Sequence, residues 1–285
     1  MAVLQNKIDF SVIITAKNAN PNGDPLNGNR PRENYDGFGE ISDVCIKRKL
    51  RNRLQDMGEK IFVQSDDRCD DGFRSLHDRA KGSAALGALS KQKNPNRDEY
   101  AKAACAEWID VRSFGQVFAF KGDSVSVGVR GPVTIQQAVS VTPIDITSMQ
   151  ITKSVNGESG KEGKASDTMG TKHRVDFGLY VVHGSINVQL AEKTGFTEED
   201  AEKIKLALET LFENDCSSAR PEGSMEVRRV YWYKHEGKTP KYSSAKVHRL
   251  LKVTPKDGVD RPNCFEDYDI KLDKLDGAEP EIFEG

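Results

Sequence analysis

The chain has 285 residues, of which 36% are hydrophobic and 30% are charged, so it is long enough to bury a core and polar enough to carry extensive surface loops. It shows no secretory signal pattern, and no apolar run approaches the roughly 18 residues of a membrane span. The five Cys form no CxxC pair, which argues against a zinc knuckle or a disulfide framework and indicates the reducing cytoplasm.

Charge is distributed unevenly along the chain. Residues 257–285 contain ten acidic and three basic side chains. Because the whole chain carries −2 and this segment carries −7, the remainder carries +5. The most basic stretch, Val44–Leu54, has five basic side chains and no acidic one. A cationic body of this kind indicates a polyanionic partner.

Hydrophobic periodicity and turn signals predict strands, helices and inserts in alternation. In chain order, the predicted elements are a strand at 8–16, a polar loop to 37, a helix at 43–57, a mixed insert at 59–112 with a helix at 99–109, strands at 116–120 and 124–141, a Gly- and Lys-rich excursion at 153–173, a strand or strand pair at 174–190, a capped helix at 197–214, a strand at 225–235 and an irregular extension at 255–285. Without the inserts the order is β-α-β-β-α-β, the ferredoxin-like pattern of RNA-recognition motifs. We therefore expect an α+β fold, although so common a pattern does not identify a function.

The polar loop holds several asparagines. The spacing of Asn18, Asn20 and Asn22 imitates the first half of a calcium-binding loop. We reject a calcium site because amides replace the carboxylates on which calcium affinity depends, and Asn29 replaces the final acid. A surface loop built from Asx turns is about as well supported by the residue types as a binding loop.

Two arginines of this loop favour phosphate binding. Arg30 and Arg32 lie on either side of Pro31, whose ring stiffens the spacing between two bidentate phosphate donors. Asn amides and bare glycine backbone would let such a loop approach a sugar-phosphate chain closely. We therefore predict a nucleic-acid contact here.

The basic stretch lies on the helix predicted at 43–57. At 100° per residue, its apolar stripe consists of Ile46, Leu50, Leu54 and Met57. The basic residues that share a different side are Lys47, Arg48 and Arg51, and Lys49 and Arg53 flank the stripe. A solvated face would normally mix charge signs, and like charges at these spacings destabilise a helix that lacks a counter-charge. We predict that a phosphate backbone supplies it.

The excursion at 153–173 contains GESGKEGKAS, which imitates a nucleotide-binding loop. The glycine spacing is wrong and no Ser or Thr follows the second lysine, so we exclude a nucleotide site. A segment of this composition and length is either disordered decoration or a projecting hairpin. The residues near its ends that suit contacts to bases and phosphates are Met149, Met169, Lys172, His173 and Arg174. Two ordinary core methionines explain the pattern equally well.

The sequence offers little for catalysis. Its His residues are scattered, and no Ser or Cys lies in a recognisable nucleophile setting. Asp24 and Asp36 are weak candidates for holding a magnesium ion in phosphodiester cleavage. The run Tyr231–Tyr233 resembles a base-stacking platform, but neighbouring strand residues point to opposite faces, so at least one of them is core.

The chain resembles the repeated backbone subunit of type I CRISPR effector complexes, the Cascade proteins of the repeat-associated mysterious protein superfamily. Four stretches carry the resemblance: AKNANPNGDPLNGNRPR, IKRKLRNRL, GPVTIQQAVSVTPIDIT and TMGTKHRVDFGLYVVHGSIN. It covers roughly residues 8–235 and is closest to the subtype I-C member.

The resemblance implies a hand-shaped, non-catalytic subunit that forms a single domain over 1–285 and needs no cofactor or metal. Its palm is a modified RNA-recognition-motif fold, its fingers are the insert at about 59–112, and its thumb is a hairpin at about 150–174. Copies of the protein polymerise along guide CRISPR RNA, a target DNA strand pairs with the guide, and other Cascade subunits complete the complex.

Site residues are implied by position. The residues implied to contact guide phosphates are Asn18, Asn20, Arg30, Arg32, Lys47, Arg48 and Arg51. The residues implied for the thumb are Met169, Lys172 and Arg174. The acidic extension at about 255–285 would repel RNA, which implies that it faces the next subunit instead.

Two nuclease alternatives from the same superfamily stay open. One is a metal-dependent ribonuclease that uses Asp24 or Asp36, as related subunits of type III complexes use a loop aspartate. The other is a nuclease that processes CRISPR RNA, which needs a positioned His that the sequence does not identify.

Overall fold

The structure is a computed structural model that describes residues 2–92, 96–121, 126–153 and 169–285. Its strands are β1 (Ile8–Ala19), β2 (Gly23–Asp24), β3 (Arg30–Pro31), β4 (Phe38–Ile41), β5 (Gly115–Ala119), β6 (Ser126–Arg130), β7 (Val133–Ile135), β8 (Ala138–Pro143), β9 (Ile146–Thr152), β10 (Met169–Ile186), β11 (Met225–Lys234), β12 (Leu251–Pro255), β13 (Tyr268–Leu272) and β14 (Glu281–Glu284). Its α-helices are α1 (Asp43–Asp56), α2 (Leu76–Gly82), α3 (Ala84–Ser90), α4 (Arg97–Glu107), α5 (Ile109–Phe114), α6 (Val188–Thr194), α7 (Glu198–Glu209) and α8 (Ser244–His248). No helix of these described ranges is long and apolar enough to cross a membrane.

One antiparallel sheet organises the fold. Its strand order is β14-β11-β1-β10-β8-β4, and β7 and β9 pair with other parts of the long β10. The central strands β1 and β10 stay in register from Ile8↔Ile186 to Ala19↔Val175, as their β-branched, apolar sequences favour. The strand predicted at 124–141 is instead divided among β6, β7 and β8. Gly131 and Pro132 separate β6 from β7.

The first hydrophobic core lies between one face of this sheet and the helices α1 and α7. Three residues of the predicted apolar stripe of α1 are confirmed, since Ile46, Leu50 and Leu54 are buried. The fourth, Met57, follows the helix as its C-cap and packs partly buried against the same core. Ser42 caps this helix by accepting a hydrogen bond from the Cys45 amide. The predicted cap of α7 is also confirmed, since Thr197 and Asp200 form a capping box, although that helix ends at Glu209 rather than at 214.

The C-terminal part of the chain covers the other face of the sheet. The buried residues of this second side are Ile13, Leu179, Tyr231, Tyr233, Val247, Leu250 and Tyr268. Trp232 points the opposite way, into the first core. All three aromatic residues of 231–233 are buried, so the interpretation of this run as a base-stacking platform is wrong.

The extension at 255–285 is not irregular, as the sequence predicted, but contains strands. β12 and β13 form a hairpin, and β14 lengthens the main sheet by pairing with β11. Glu281 and Glu284 of β14 form ion pairs with Lys205 and Arg229. The chain's own cations therefore neutralise part of the acidic extension.

The insert after α1 has a separate hydrophobic core. Phe62, Tyr100 and Trp108 pack there with Phe118 and Val127 of the β5–β6 hairpin, so this core draws on residues beyond the predicted insert. The helix predicted at 99–109 is α4, which stops at Glu107 because Trp108 has an extended backbone.

Candidate nucleic-acid interface

Asparagine side chains hold the polar loop after β1 in shape. Asn20 is buried, and its Nδ2 donates a hydrogen bond to the Asn29 carbonyl over 2.6 Å. Asn22 Oδ1 accepts a hydrogen bond from the Ser42 amide over 2.9 Å, which ties the loop to the start of α1. The structure thus gives Asn20 a loop-shaping partner, and its predicted contact to a phosphate stays a prediction.

Asn18 is exposed. Its φ is 54°, in the left-handed region that Asn tolerates better than most other residues. The backbone conformation alone therefore explains why an asparagine occupies position 18, without any bound ligand. Its amide nevertheless lies at the surface, where a predicted RNA contact is sterically open.

Arg30 joins the loop to the hairpin formed by β9 and β10. Its Nη1 lies 3.3 Å from Ser148 Oγ, and that hydroxyl lies 2.8 Å from His173 Nδ1. Arg32 forms an ion pair with Asp24 over 3.3 Å. Both arginines remain partly exposed. The structure therefore brings the predicted loop residues next to the base of the predicted thumb.

The cations on the basic face of α1 have partners within the protein. The prediction from the sequence assumed that they had none. Lys47 Nζ lies 3.0 Å from Oδ2 of Asp43, one turn earlier. Arg48 Nη1 donates to the Val63 carbonyl over 2.6 Å, and Arg51 Nε donates to Asp110 Oδ2 over 3.0 Å. The premise that these cations lack internal partners is wrong, and their predicted RNA contacts would have to compete with those partners.

Lys49 and Arg53, which flank the apolar stripe, bind the segment after α7. Lys49 is buried and pairs with Asp215. Burial lowers the pKa of Lys49 below its usual value, and the Asp215 carboxylate opposes that shift. Arg53 donates to Thr210 Oγ1 over 2.7 Å and pairs with Glu213. The helix is thus anchored by its cations on two sides.

The β9–β10 hairpin presents two different faces. In the register Met169↔Thr152 to Val175↔Ile146, cross-strand partners share a face and successive residues alternate. Lys172 and Arg174 therefore lie on the face of Met149, whereas Met169 lies on the face of His173. The predicted thumb residues are thus divided between two faces. The segment 154–168, which the sequence interpretation placed in the thumb, lies outside the described residues.

Asp24 and Asp36, the two loop carboxylates that a nuclease would need, lie in different environments. Asp24 accepts a hydrogen bond from the Leu26 amide over 3.2 Å and pairs with Arg32, while Asp36 is exposed in a turn. In the part of the chain that the structure describes, no three His, Cys, Asp or Glu side chains converge as metal ligands do.

The arrangement is a polar, cation-bearing loop beside the β9–β10 hairpin, on a mixed α+β fold. A family model for the CRISPR-associated protein Cas7 matches residues 6–273. The chain belongs to the Cas7 family. A CRISPR-associated protein Cas7 from Haloferax volcanii is 27% identical over 237 residues, which are 75% of this chain and 66% of the Haloferax protein. The match thus spans slightly less than two thirds of that relative.

The fold is also similar to that of a chain in a solved structure. The similar chain belongs to a structure described as a CRISPR RNA-guided surveillance complex, pre-nicking. The superposition covers 85% of this chain and 81% of that chain, with a TM-score of 0.50 and 15% sequence identity. At this level of identity the likeness concerns the fold, and it agrees with the mixed α+β class expected for the Cas7 chain.

Proposed function

We propose that this Cas7 family member is a non-catalytic, RNA-binding backbone subunit of a type I CRISPR Cascade complex, of subtype I-C. The observation that carries the proposal is the family match over residues 6–273. The motifs quoted above support the subtype, and the exposed polar loop beside the hairpin supplies a surface suited to a polyanion.

A hand-shaped architecture is part of this proposal. The strand order β11-β1-β10-β8, with α1 and α7 packed on one face, supports a palm derived from the RNA-recognition motif. The separate core of the insert supports fingers at about 59–112 with the β5–β6 hairpin added. The β9–β10 ladder supports a thumb at about 150–174, and the extension at about 255–285 closes the sheet face on which recognition motifs stack bases.

In the proposed mechanism the protein binds the backbone of the guide RNA, and base pairing with the guide recognises the target sequence. Copies of the subunit polymerise along guide CRISPR RNA, the loop and α1 contact its phosphates, and the thumb presses between guide bases. A target DNA strand pairs with the guide segments in between, and other Cascade subunits complete the particle. The proposed phosphate contacts are Asn18, Asn20, Arg30, Arg32, Lys47, Arg48 and Arg51, and the proposed thumb contacts are Met169, Lys172 and Arg174.

Co-expression with a CRISPR array tests the proposal. The protein should purify as a multi-copy particle that contains RNA of uniform length, because each guide fixes the length of the filament. Arg30→Ala combined with Lys172→Ala should reduce the bound RNA. Lys238→Ala, which removes an exposed lysine paired with Glu192, is the matched control. A monomer without RNA, or with RNA of random length when an array is present, would contradict the proposal.

A further inference from the structure

A row of titratable side chains lies under α8, on the sheet face that the C-terminal part covers. Asp9 and Ser11 share a face of β1, and Lys7, which precedes the strand, donates a hydrogen bond to Asp9. Three of the chain's five His residues meet them there: His183 from β10, His235 just after β11 and His248 from α8. The His residues are scattered along the sequence, but the fold brings these three distant positions close together. We call this group the histidine seam.

Hydrogen bonds connect the seam from the sheet to α8. Asp9 has no exposed surface, and its two oxygens lie 2.7 Å from Lys7 Nζ and 2.8 Å from His235 Nε2. Lys7 Nζ also donates to Ser244 Oγ of α8 over 2.7 Å. His248 Nε2 donates to the Gly184 carbonyl over 3.1 Å. The seam thus attaches α8 to β1 and β10 through polar contacts.

Two imidazoles of the seam are stacked. The rings of His183 and His248 have centroids 4.7 Å apart and an interplanar angle of 16°, and His183 Nδ1 shares a hydrogen bond of 2.7 Å with Ser11 Oγ. A proton on one ring raises the cost of a proton on the other. The nearby carboxylate of Asp9, 3.9 Å from His248 Nε2, gives limited compensation because Lys7 and His235 already pair with it.

We propose that the histidine seam is a pH-sensitive joint: acidification protonates the stacked His183 and His248 and loosens α8, with the chain that follows it, from the central sheet. Titratable and charged groups from each neighbouring element enter this balance, namely Lys7 just before β1, Asp9 of β1, His235 after β11, and His248 of α8 itself. The remaining charge of α8, Lys246, lies over the Tyr242 ring and not in the seam.

The titration directions agree with the geometry. Burial and the neighbouring His248 lower the pKa of His183 to about 4. Burial also lowers the pKa of His248, against the Gly184 carbonyl and Asp9. A histidine whose pKa is lowered in the attached state stabilises that state above pH 6.5, and this contribution is lost as the pH falls from 6.5 towards 4. For His183 alone, the opening equilibrium should rise about 30-fold between pH 7.5 and pH 5.

Hydrogen–deuterium exchange of the full chain at pH 7.5 and pH 5, corrected for intrinsic exchange, tests the joint. Exchange in peptides spanning 243–255 should rise by tens of fold at pH 5, while β1 and β10 stay protected. His183→Gln and His248→Gln should each reduce this pH dependence. His173→Gln is the matched control, because His173 has a similar serine partner at an exposed site.

Several outcomes would overturn the joint. Equal corrected exchange at both pH values would do so, as would an undiminished pH dependence in both seam variants. Exchange that rises uniformly through the whole sheet would show global unfolding instead of a local opening. If one seam variant does not fold, the other gives the same comparison.

Discussion

Arg51 Nε of α1 lies 3.0 Å from Oδ2 of Asp110, a carboxylate that has no exposed surface. Asp110 also accepts hydrogen bonds from the Phe62 amide over 2.7 Å and the Val63 amide over 3.1 Å. The Arg51 guanidinium lies over the Phe114 ring at 5.1 Å. This ion pair therefore clamps the basic helix to the insert, and a guide phosphate would have to compete with it.

Arg51→Ala should destabilise the protein. It leaves the buried Asp110 carboxylate with backbone donors but without its ion-pair partner, and the loss of one partner of a buried ion pair costs about 3 kcal/mol. Lys47→Ala removes a partly exposed pair with Asp43 and should cost about 0.5 kcal/mol or less. Urea unfolding of both variants measures the difference. Equal, small changes would show that the Arg51 pair contributes little to stability.

The sequence predicted the apolar stripe of α1 well, but it did not predict the distant ion-pair partners of the helix cations. The stripe of α1 depends on residues a few positions apart, so helical periodicity identified it. Asp110 and Asp215, the partners of Arg51 and Lys49, lie 59 and 166 positions away along the chain. One sequence contains no signal for such distant pairings. The Lys47–Asp43 pair, in contrast, spans one helical turn, and the prediction of an unpaired basic face overlooked it.

Strand detection failed for a related reason. The C-terminal strands are short, and β14 consists of only Glu281–Glu284, so its pattern is weak without the partner β11. The histidine seam was missed because strand pairing, not spacing, brings Ser11 opposite His183. The long strands β1, β10 and β11 were predicted because their apolar runs are intrinsically β-forming.

Two substitutions at Asn18 separate backbone conformation from RNA contact. Asn18→Gly keeps the left-handed backbone easily accessible and should leave stability nearly unchanged, whereas Asn18→Ala should cost about 1 kcal/mol. If the Asn18 amide contacts the guide, both variants should bind RNA several-fold more weakly than wild type. Thermal unfolding and filter binding measure the two effects. Wild-type RNA affinity in Asn18→Gly would mean that asparagine is present for its backbone alone.

The protein should not cleave RNA. Asp24 is occupied by the Leu26 amide and Arg32, so Asp24→Ala should disturb the loop without removing a nuclease activity. Guide RNA with a complementary RNA strand, incubated with magnesium, should remain intact with wild type, Asp24→Ala and Asp36→Asn. Magnesium-dependent cleavage by wild type that disappears in either variant would establish the ribonuclease alternative.

The two faces of the β9–β10 hairpin should contribute differently to RNA binding. Met169 is 56% exposed and lies on the same face of the hairpin as His173. The hydroxyl of Ser148 is hydrogen-bonded to both His173 and Arg30, so this face adjoins the loop. Lys172 lies on the other face, opposite Met149 in the ladder. Met169 therefore suits stacking against a base beside the loop, and Lys172 suits a phosphate on the opposite side.

Salt dependence distinguishes these roles. Lys172→Ala should weaken binding of single-stranded RNA and reduce the slope of log K against log salt by about 0.7, the value for one lost phosphate contact. Met169→Ala should weaken binding with an unchanged slope, because an apolar contact releases no counterion. Lys252→Ala, which removes an exposed lysine paired with Asp273 on the C-terminal hairpin, should change neither quantity. A slope that falls equally in the Lys172 and Lys252 variants would show a general charge effect, and wild-type affinity in both hairpin variants would mean that the hairpin does not touch RNA.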